Sequence, residues 1–113
     1  MLVVEDDPQQ RDLLAEFVAR AGYKVAAVPD AEAAGDRLAT DTFDLLLSDY
    51  RLPGASGAEL IKGLKQQGGP MLAVLISAHA DLASAAEACG ADAYLSKGHL
   101  YRLRPLLASL LAG

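Results

Sequence analysis

Four short apolar runs in this chain are each followed by a side chain able to do chemistry. Glu5 and Asp6 follow Leu2-Val3-Val4, Asp49 follows residues 43–48, Ser77 follows residues 72–76, and Lys97 follows residues 93–96. If the runs are strands of one parallel sheet, their carboxyl ends deliver these groups to one place. Glu5, Asp6 and Asp49 would then crowd three carboxylates together. Like charges that close repel, and some stay protonated unless they are compensated. A hard divalent cation is a natural compensation. Mg²⁺, or Mn²⁺ in its place, prefers oxygen ligands, keeps several waters and leaves positions for phosphate oxygens. Lys97 adds a mobile point charge with rotatable donors, and Ser77 adds a hydroxyl for an oxyanion. Such a set suits phosphoryl transfer, in which catalysis is mostly positioning and charge neutralisation. A carboxylate can itself attack phosphorus and form an aspartyl-phosphate. Taken singly, each residue has an ordinary reading. Glu5-Asp6-Asp7 can complement a helix dipole, Asp49 can be a turn residue, and a lone lysine is usually a solvated one. Their appearance at successive run ends is the signal.

The elements that must position them are read from periodicity. Apolar runs at 2–4, 25–28, 43–48, 72–76 and 93–96 alternate with helical stretches at 8–21, 31–39, 56–67, 81–89 and 106–111. In the first helix Leu13, Leu14, Phe17, Val18 and Ala21 recur at helical spacing. Asp7 suits its N-cap, Pro8 its first turn and Gly22 its stop. Asp30 caps the second helix, which Gly35 weakens. Ser56-Gly57-Ala58-Glu59 is a capping-box pattern for the third. The third and fourth runs are continuously apolar, as in strands covered on both faces. Strictly alternating strands and helices imply an α/β fold with a parallel sheet and right-handed crossovers. Ligands in such folds bind beyond the carboxyl ends of the strands.

Composition bounds the function. A length of 113 residues suits one domain, and the 52% apolar content suffices for a core. With no Trp and two Phe, that core must be aliphatic. A net charge of −5 argues against direct nucleic-acid binding, which needs clustered Lys and Arg. No run approaches the ~20 apolar residues of a membrane span. No signal peptide is seen, because Leu2-Val3-Val4 meets Glu5-Asp6-Asp7 at once. Cys89 is the single cysteine, so no internal disulfide can form, and it reads as a small buried hydrophobe near a helix end. A cytoplasmic location is the simplest expectation.

The sequence resembles the receiver domains of response regulators over essentially its whole length. The resemblance rests on Glu5-Asp6 after an apolar strand, on Asp49-Tyr50-Arg51-Leu52-Pro53-Gly54-Ala55-Ser56-Gly57, on Ser77-Ala78, and on Tyr94 three residues before Lys97. It implies a flavodoxin-like three-layer (βα)5 fold with strand order 2-1-3-4-5. It implies that Asp49 accepts a phosphoryl group from phosphohistidine on a histidine kinase or histidine phosphotransfer protein. Asp6 and Asp49 would bind Mg²⁺ directly, Glu5 through water, with the backbone carbonyl of Arg51 as a further ligand. Lys97 and Ser77 would contact the phosphoryl oxygens. Ser77 and Tyr94 would switch the surface of helix four, strand five and helix five, which a downstream output domain or protein reads. Arg51 and His79 stand at variable positions expected to shape water access. The chain would not be a turnover enzyme on a separate substrate.

Three features depart from the family pattern: the residue after the lysine, the last helix and the start of the chain. Gly98 replaces the proline that most often follows the lysine, which loosens the expected loop. Pro105 forces the last helix to start near Arg104, with residues 98–103 as a connection. Leu100, Leu103, Leu106, Leu107, Leu110 and Leu111 exceed one helix stripe. They serve either a leucine-rich core or an apolar patch for a partner or a homodimer mate. Because strand one begins at the chain's start, a single domain trimmed or excised from a longer protein is expected. The main rival is a pseudo-receiver, an unphosphorylated interaction module. A haloacid-dehalogenase-type hydrolase would want an acid where Arg51 stands, and a nucleotide binder would not place Glu5-Asp6-Asp7 in its phosphate loop. His79 and His99 have no zinc-like spacing and are expected to be solvated.

Overall fold

The alternation of side chains along the strands decides how the layers assemble. In the computed structural model, which describes residues 1–78 and 82–112, the strands are β1 (Leu2–Val4), β2 (Ala26–Val28), β3 (Leu45–Asp49), β4 (Leu72–Ser77) and β5 (Ala93–Ser96). They form one sheet, all pairs parallel, in the order β2-β1-β3-β4-β5. Successive residues of a strand point to opposite faces. Leu2, Val4, Leu46, Ala73 and Leu75 therefore fill one core, and Val3, Leu45, Leu47, Val74 and Ile76 fill the other. The helices are α1 (Pro8–Arg20), α2 (Ala31–Thr40), α3 (Gly57–Gln66), α4 (Leu82–Cys89) and α5 (Leu103–Ala112). Side chains of α2, α3 and α4 close the first core, and those of α1 and α5 close the second. Both faces being covered explains the continuously apolar β3 and β4. The result is the expected three-layer (βα)5 arrangement. Among the described residues, no helix is long and apolar enough to cross a membrane.

Local chemistry sets the helix starts as the sequence indicates. Asp7 accepts from the Gln10 amide, Asp30 from the Ala33 amide and Ser56 from the Glu59 amide, at 2.9, 2.7 and 3.1 Å. Gly22 ends α1 with φ at +97°, a conformation other residues rarely adopt. At the sheet's amino-terminal end, Asp92 Oδ2 accepts from the Ala73 amide at 2.7 Å and from Lys65 Nζ at 2.6 Å. This ties α3, β4 and the turn before β5 together, away from the chemistry.

Several boundaries differ from the sequence reading. Asp49 and Ser77 were expected just beyond their strands but are the last residues within them, because the parallel ladder continues through Asp49↔Ile76 and Ser77↔Ser96. β3 begins at Leu45 rather than at Phe43, and β2 at Ala26 rather than at Val25. The expected start of α4 at Asp81, like His79, lies outside the described residues, and α4 runs from Leu82. The connection expected over residues 98–103, and a last helix starting near Arg104, are both present, and the connection is ordered. Lys97–Arg102 forms 3₁₀ turns broken at His99, and α5 starts at Leu103, which leaves Pro105 in its first turn as proline requires. Leu103 and Leu107 are buried, and Leu100, Leu106, Leu110 and Leu111 pack partly buried against them, so the leucines serve the core.

Gly57 is the glycine at which added side-chain atoms would clash most severely. A Cβ placed there would lie 1.9 Å from the Asp49 carbonyl oxygen and 2.8 Å from Ser48 Oγ. The Gly57 amide donates to the Tyr50 carbonyl at 2.8 Å, which brings the start of α3 against the end of β3. Gly57→Ala must push the Asp49 backbone aside, and overpacking of this kind costs about 1–3 kcal/mol. Urea denaturation of the variant is expected to show that loss, and an unchanged midpoint would mean that α3 moves freely against β3.

Candidate functional site

Three connections at the carboxyl edge of the sheet build the site. β1 runs into Glu5, whose amide donates to Val28 O at 3.1 Å and whose side chain is only 1% exposed. Arg11, from the second turn of α1, donates to the Glu5 carbonyl at 3.2 Å and holds the bend between β1 and α1. Asp6 projects outward and is exposed. β3 ends on the buried Asp49, fixed on both sides: Ser48 Oγ donates to its carbonyl at 3.0 Å, and the next amide, of Tyr50, donates to Ile76 O at 2.7 Å. β5 leads directly into Lys97.

Carboxylate oxygens of Glu5, Asp6 and Asp49 lie within 4.8 Å of one another. An octahedral ion with bonds of about 2.1 Å places its ligand atoms roughly 3–4.2 Å apart, so slight closure suffices to hold one. In the structure as it stands, the compensating charge is Lys97. Its Nζ lies 2.7 Å from Glu5 Oε1 and 3.1 Å from Asp49 Oδ2, and it also donates to Gln10 Oε1. Burial works against the ammonium, but the hydrogen bonds and charges of Glu5 and Asp49 outweigh it and raise the Lys97 pKa above the ordinary 10.5. Lys97 is therefore fully charged at neutral pH.

Glu5, Asp6, Asp49, Arg51 and Lys97 line one open cleft of about 420 Å³, with Asp7, Gln10 and the Leu52-Pro53 turn. Ser77 and Tyr94 lie elsewhere. Ser77 sits one residue past the partner of Asp49 in the ladder, buried at the end of β4 and off the cleft wall. Tyr94 is half exposed on a second cleft, with Ala78, Leu82, His99 and Arg102. That cleft lies between α4, β5 and the 3₁₀ turns that precede α5.

The family model for the response regulator receiver domain matches residues 1–106. The chain belongs to this family. The receiver domain is 37% identical over 97 residues to the transcriptional regulatory protein FixJ of Bradyrhizobium diazoefficiens, a match covering 84% of this chain and 47% of FixJ. It is 34% identical over 94 residues to the C4-dicarboxylate transport transcriptional regulatory protein DctD of Pseudomonas aeruginosa, covering 83% of this chain and 20% of DctD. The chain thus spans from a fifth to about half the length of these curated relatives. Among solved structures it superposes on the response regulator protein TrrA of Thermotoga maritima, in complex with Mg(2+)-BeF, with a TM-score of 0.88. That likeness covers 97% of this chain and 96% of TrrA at 28% identity.

Sequence reasoning missed two members of this receiver's site. Gln10 was invisible as a motif, although a helix starting at the cleft edge must hang its first-turn side chains over the mouth. Ser96 was read only as a strand residue. Its Oγ accepts from the Gly98 amide at 3.3 Å, a donor that proline lacks, so the glycine is tied in place rather than loose.

Lys97→Met leaves Glu5 buried without its cation, and breaking such a pair costs about 2 kcal/mol or more. Denaturation in chelator-treated buffer is expected to show that deficit at neutral pH. Because the folded chain raises the lysine pKa, the stabilisation is complete below 10.5 and is lost as pH rises through the higher folded value. The gap between wild type and variant is thus expected to hold through neutral pH and narrow only in strong alkali. A gap that widens with rising pH would contradict this assignment.

Proposed function

We propose that this receiver domain accepts a phosphoryl group on Asp49 from a phosphohistidine of a histidine kinase or histidine phosphotransfer protein, in a Mg²⁺-dependent step. The observation that carries the reading is the meeting of three carboxylates with one ammonium in a cleft open to solvent, Lys97 Nζ touching both Glu5 and Asp49. The donor set, all oxygen and partly exposed, suits Mg²⁺ and admits Mn²⁺. Asp6 and Asp49 would hold the ion, with Glu5 through water and the Arg51 carbonyl as a further ligand. When bound, the ion supplies positive charge to the oxygens of the transferring group.

The chain's own residues do the rest. Asp49 offers a carboxylate oxygen to phosphorus. The new P–O bond forms as the P–N bond to the donor imidazole breaks, and the nitrogen leaves with the bonding pair. Lys97 donates N–H to a phosphoryl oxygen, so that its charge follows the charge being transferred. Ser77, buried at the next strand end, donates its hydroxyl after a short inward movement. That movement frees space behind it for Tyr94 to change rotamer and biases the α4, β5 and α5 surface between two arrangements, which an output domain or protein reads. The chain acts as a phosphoryl acceptor that turns over no separate substrate. The TrrA complex with Mg(2+)-BeF supports the metal-dependent reading.

The test is incubation with Mg²⁺ and acetyl phosphate followed by intact mass measurement, beside Asp49→Asn. The expected outcome is one added phosphoryl group that disappears in the variant and when the metal is chelated. Failure of both acetyl phosphate and a phosphohistidine donor to modify the chain, with no Mn²⁺ bound, would favour the pseudo-receiver, a protein-binding module without phosphorylation.

A further inference from the structure

The Lys97 ammonium has three N–H donors and, in this structure, three protein acceptors: Glu5, Asp49 and Gln10. The three are not equivalent. Glu5 and Asp49 are buried carboxylates that a divalent cation needs, whereas Gln10 is a neutral amide on the exposed first turn of α1. A cation entering between Glu5, Asp6 and Asp49 competes with the ammonium for the same oxygens, and the two positive charges repel. The ammonium must then withdraw from at least one carboxylate while keeping its place beside the cleft.

We propose that Gln10 is a positioning residue that gives Lys97 a neutral seat at the cleft mouth, so that a divalent cation can displace the ammonium from the carboxylates without leaving it unpartnered. This rests on the proposed metal-dependent reading of the site. Gln10 contributes little while both carboxylates hold Lys97. It contributes more once they turn to the cation, because its carbonyl is then the protein acceptor that the ammonium retains. Gln10 thereby raises cation affinity without touching the cation. Its backbone amide, not its side chain, completes the Asp7 cap, so substitution leaves the start of α1 intact.

The experiment measures the Mn²⁺ dissociation constant by electron paramagnetic resonance for wild type, Gln10→Leu, Lys97→Met and the double variant. Loss of one charge-assisted hydrogen bond in the bound state predicts roughly fivefold weaker Mn²⁺ binding for Gln10→Leu. Lys97→Met removes the competing charge and should bind Mn²⁺ more tightly than wild type. Gln10→Leu added to it should then change nothing, because the effect runs through Lys97. Unchanged affinity in the single variant, or an equal fivefold loss in the Lys97→Met background, would overturn the role given to Gln10. Absence of Mn²⁺ binding in wild type would instead overturn the metal-dependent reading itself, and this inference with it.

Discussion

Three carboxylates are held close enough to repel one another, and the rest of the site is arranged around that constraint. Glu5 arrives from the first strand, Asp49 from the third, and the balancing ammonium of Lys97 from the fifth, 92 residues after Glu5. None of these groups would approach the others in an unfolded chain. The folding energy of the aliphatic cores is what brings them together. The pair of Lys97 with buried Glu5 is therefore better read as a poised arrangement than as a source of stability, since buried ion pairs seldom add net stability over apolar packing. In the proposed metal-dependent reading, Lys97 is the cation that must give up carboxylate oxygens to the incoming ion.

The rigidity required for that arrangement comes from the sheet. Asp49 lies within the β3–β4 ladder, and its carbonyl is pressed by Gly57 on one side and bonded by Ser48 on the other. Its carboxylate can thus face the cleft while its backbone stays fixed. Lys97, by contrast, stands past the end of β5 at the start of 3₁₀ turns broken at His99, with the Ser96 hydroxyl capping the next amide. The proposed phosphoryl transfer would use that asymmetry, because charge must follow the transferred group while the attacking oxygen stays put. The second cleft, around Tyr94, is lined by β5, the strand that leads into Lys97.

Much of this was legible in the sequence because the pattern is redundant. The five runs, the caps Asp7, Asp30 and Ser56, and the polar groups at run ends all point to one sheet with one functional edge. The strand order came from resemblance, since periodicity alone fixes no order. Strand ends were misjudged by one or two residues, because a polar residue such as Asp49 or Ser77 reads as a stop although the ladder includes it. The 3₁₀ turns after Lys97 escaped notice because Gly98 looked like freedom, when its amide in fact bonds Ser96. Gln10 escaped because its role depends on where α1 begins relative to Lys97, a tertiary fact carried by no local motif. Gly57 was legible as a family residue, but the contact that demands glycine appears only when α3 is laid against β3.

The central claim is that Glu5, Asp6, Asp49 and Lys97 form one cation-responsive unit. Its most direct test is a Mg²⁺ titration of the isotope-labelled chain followed by amide resonances. The account predicts saturable shifts concentrated at residues 5–7, 49–51 and 97, three segments remote in sequence responding with one affinity. Shifts scattered over the acidic outer faces of α1 and α2, or different affinities at the three segments, would show that the carboxylates and the lysine do not act as one site.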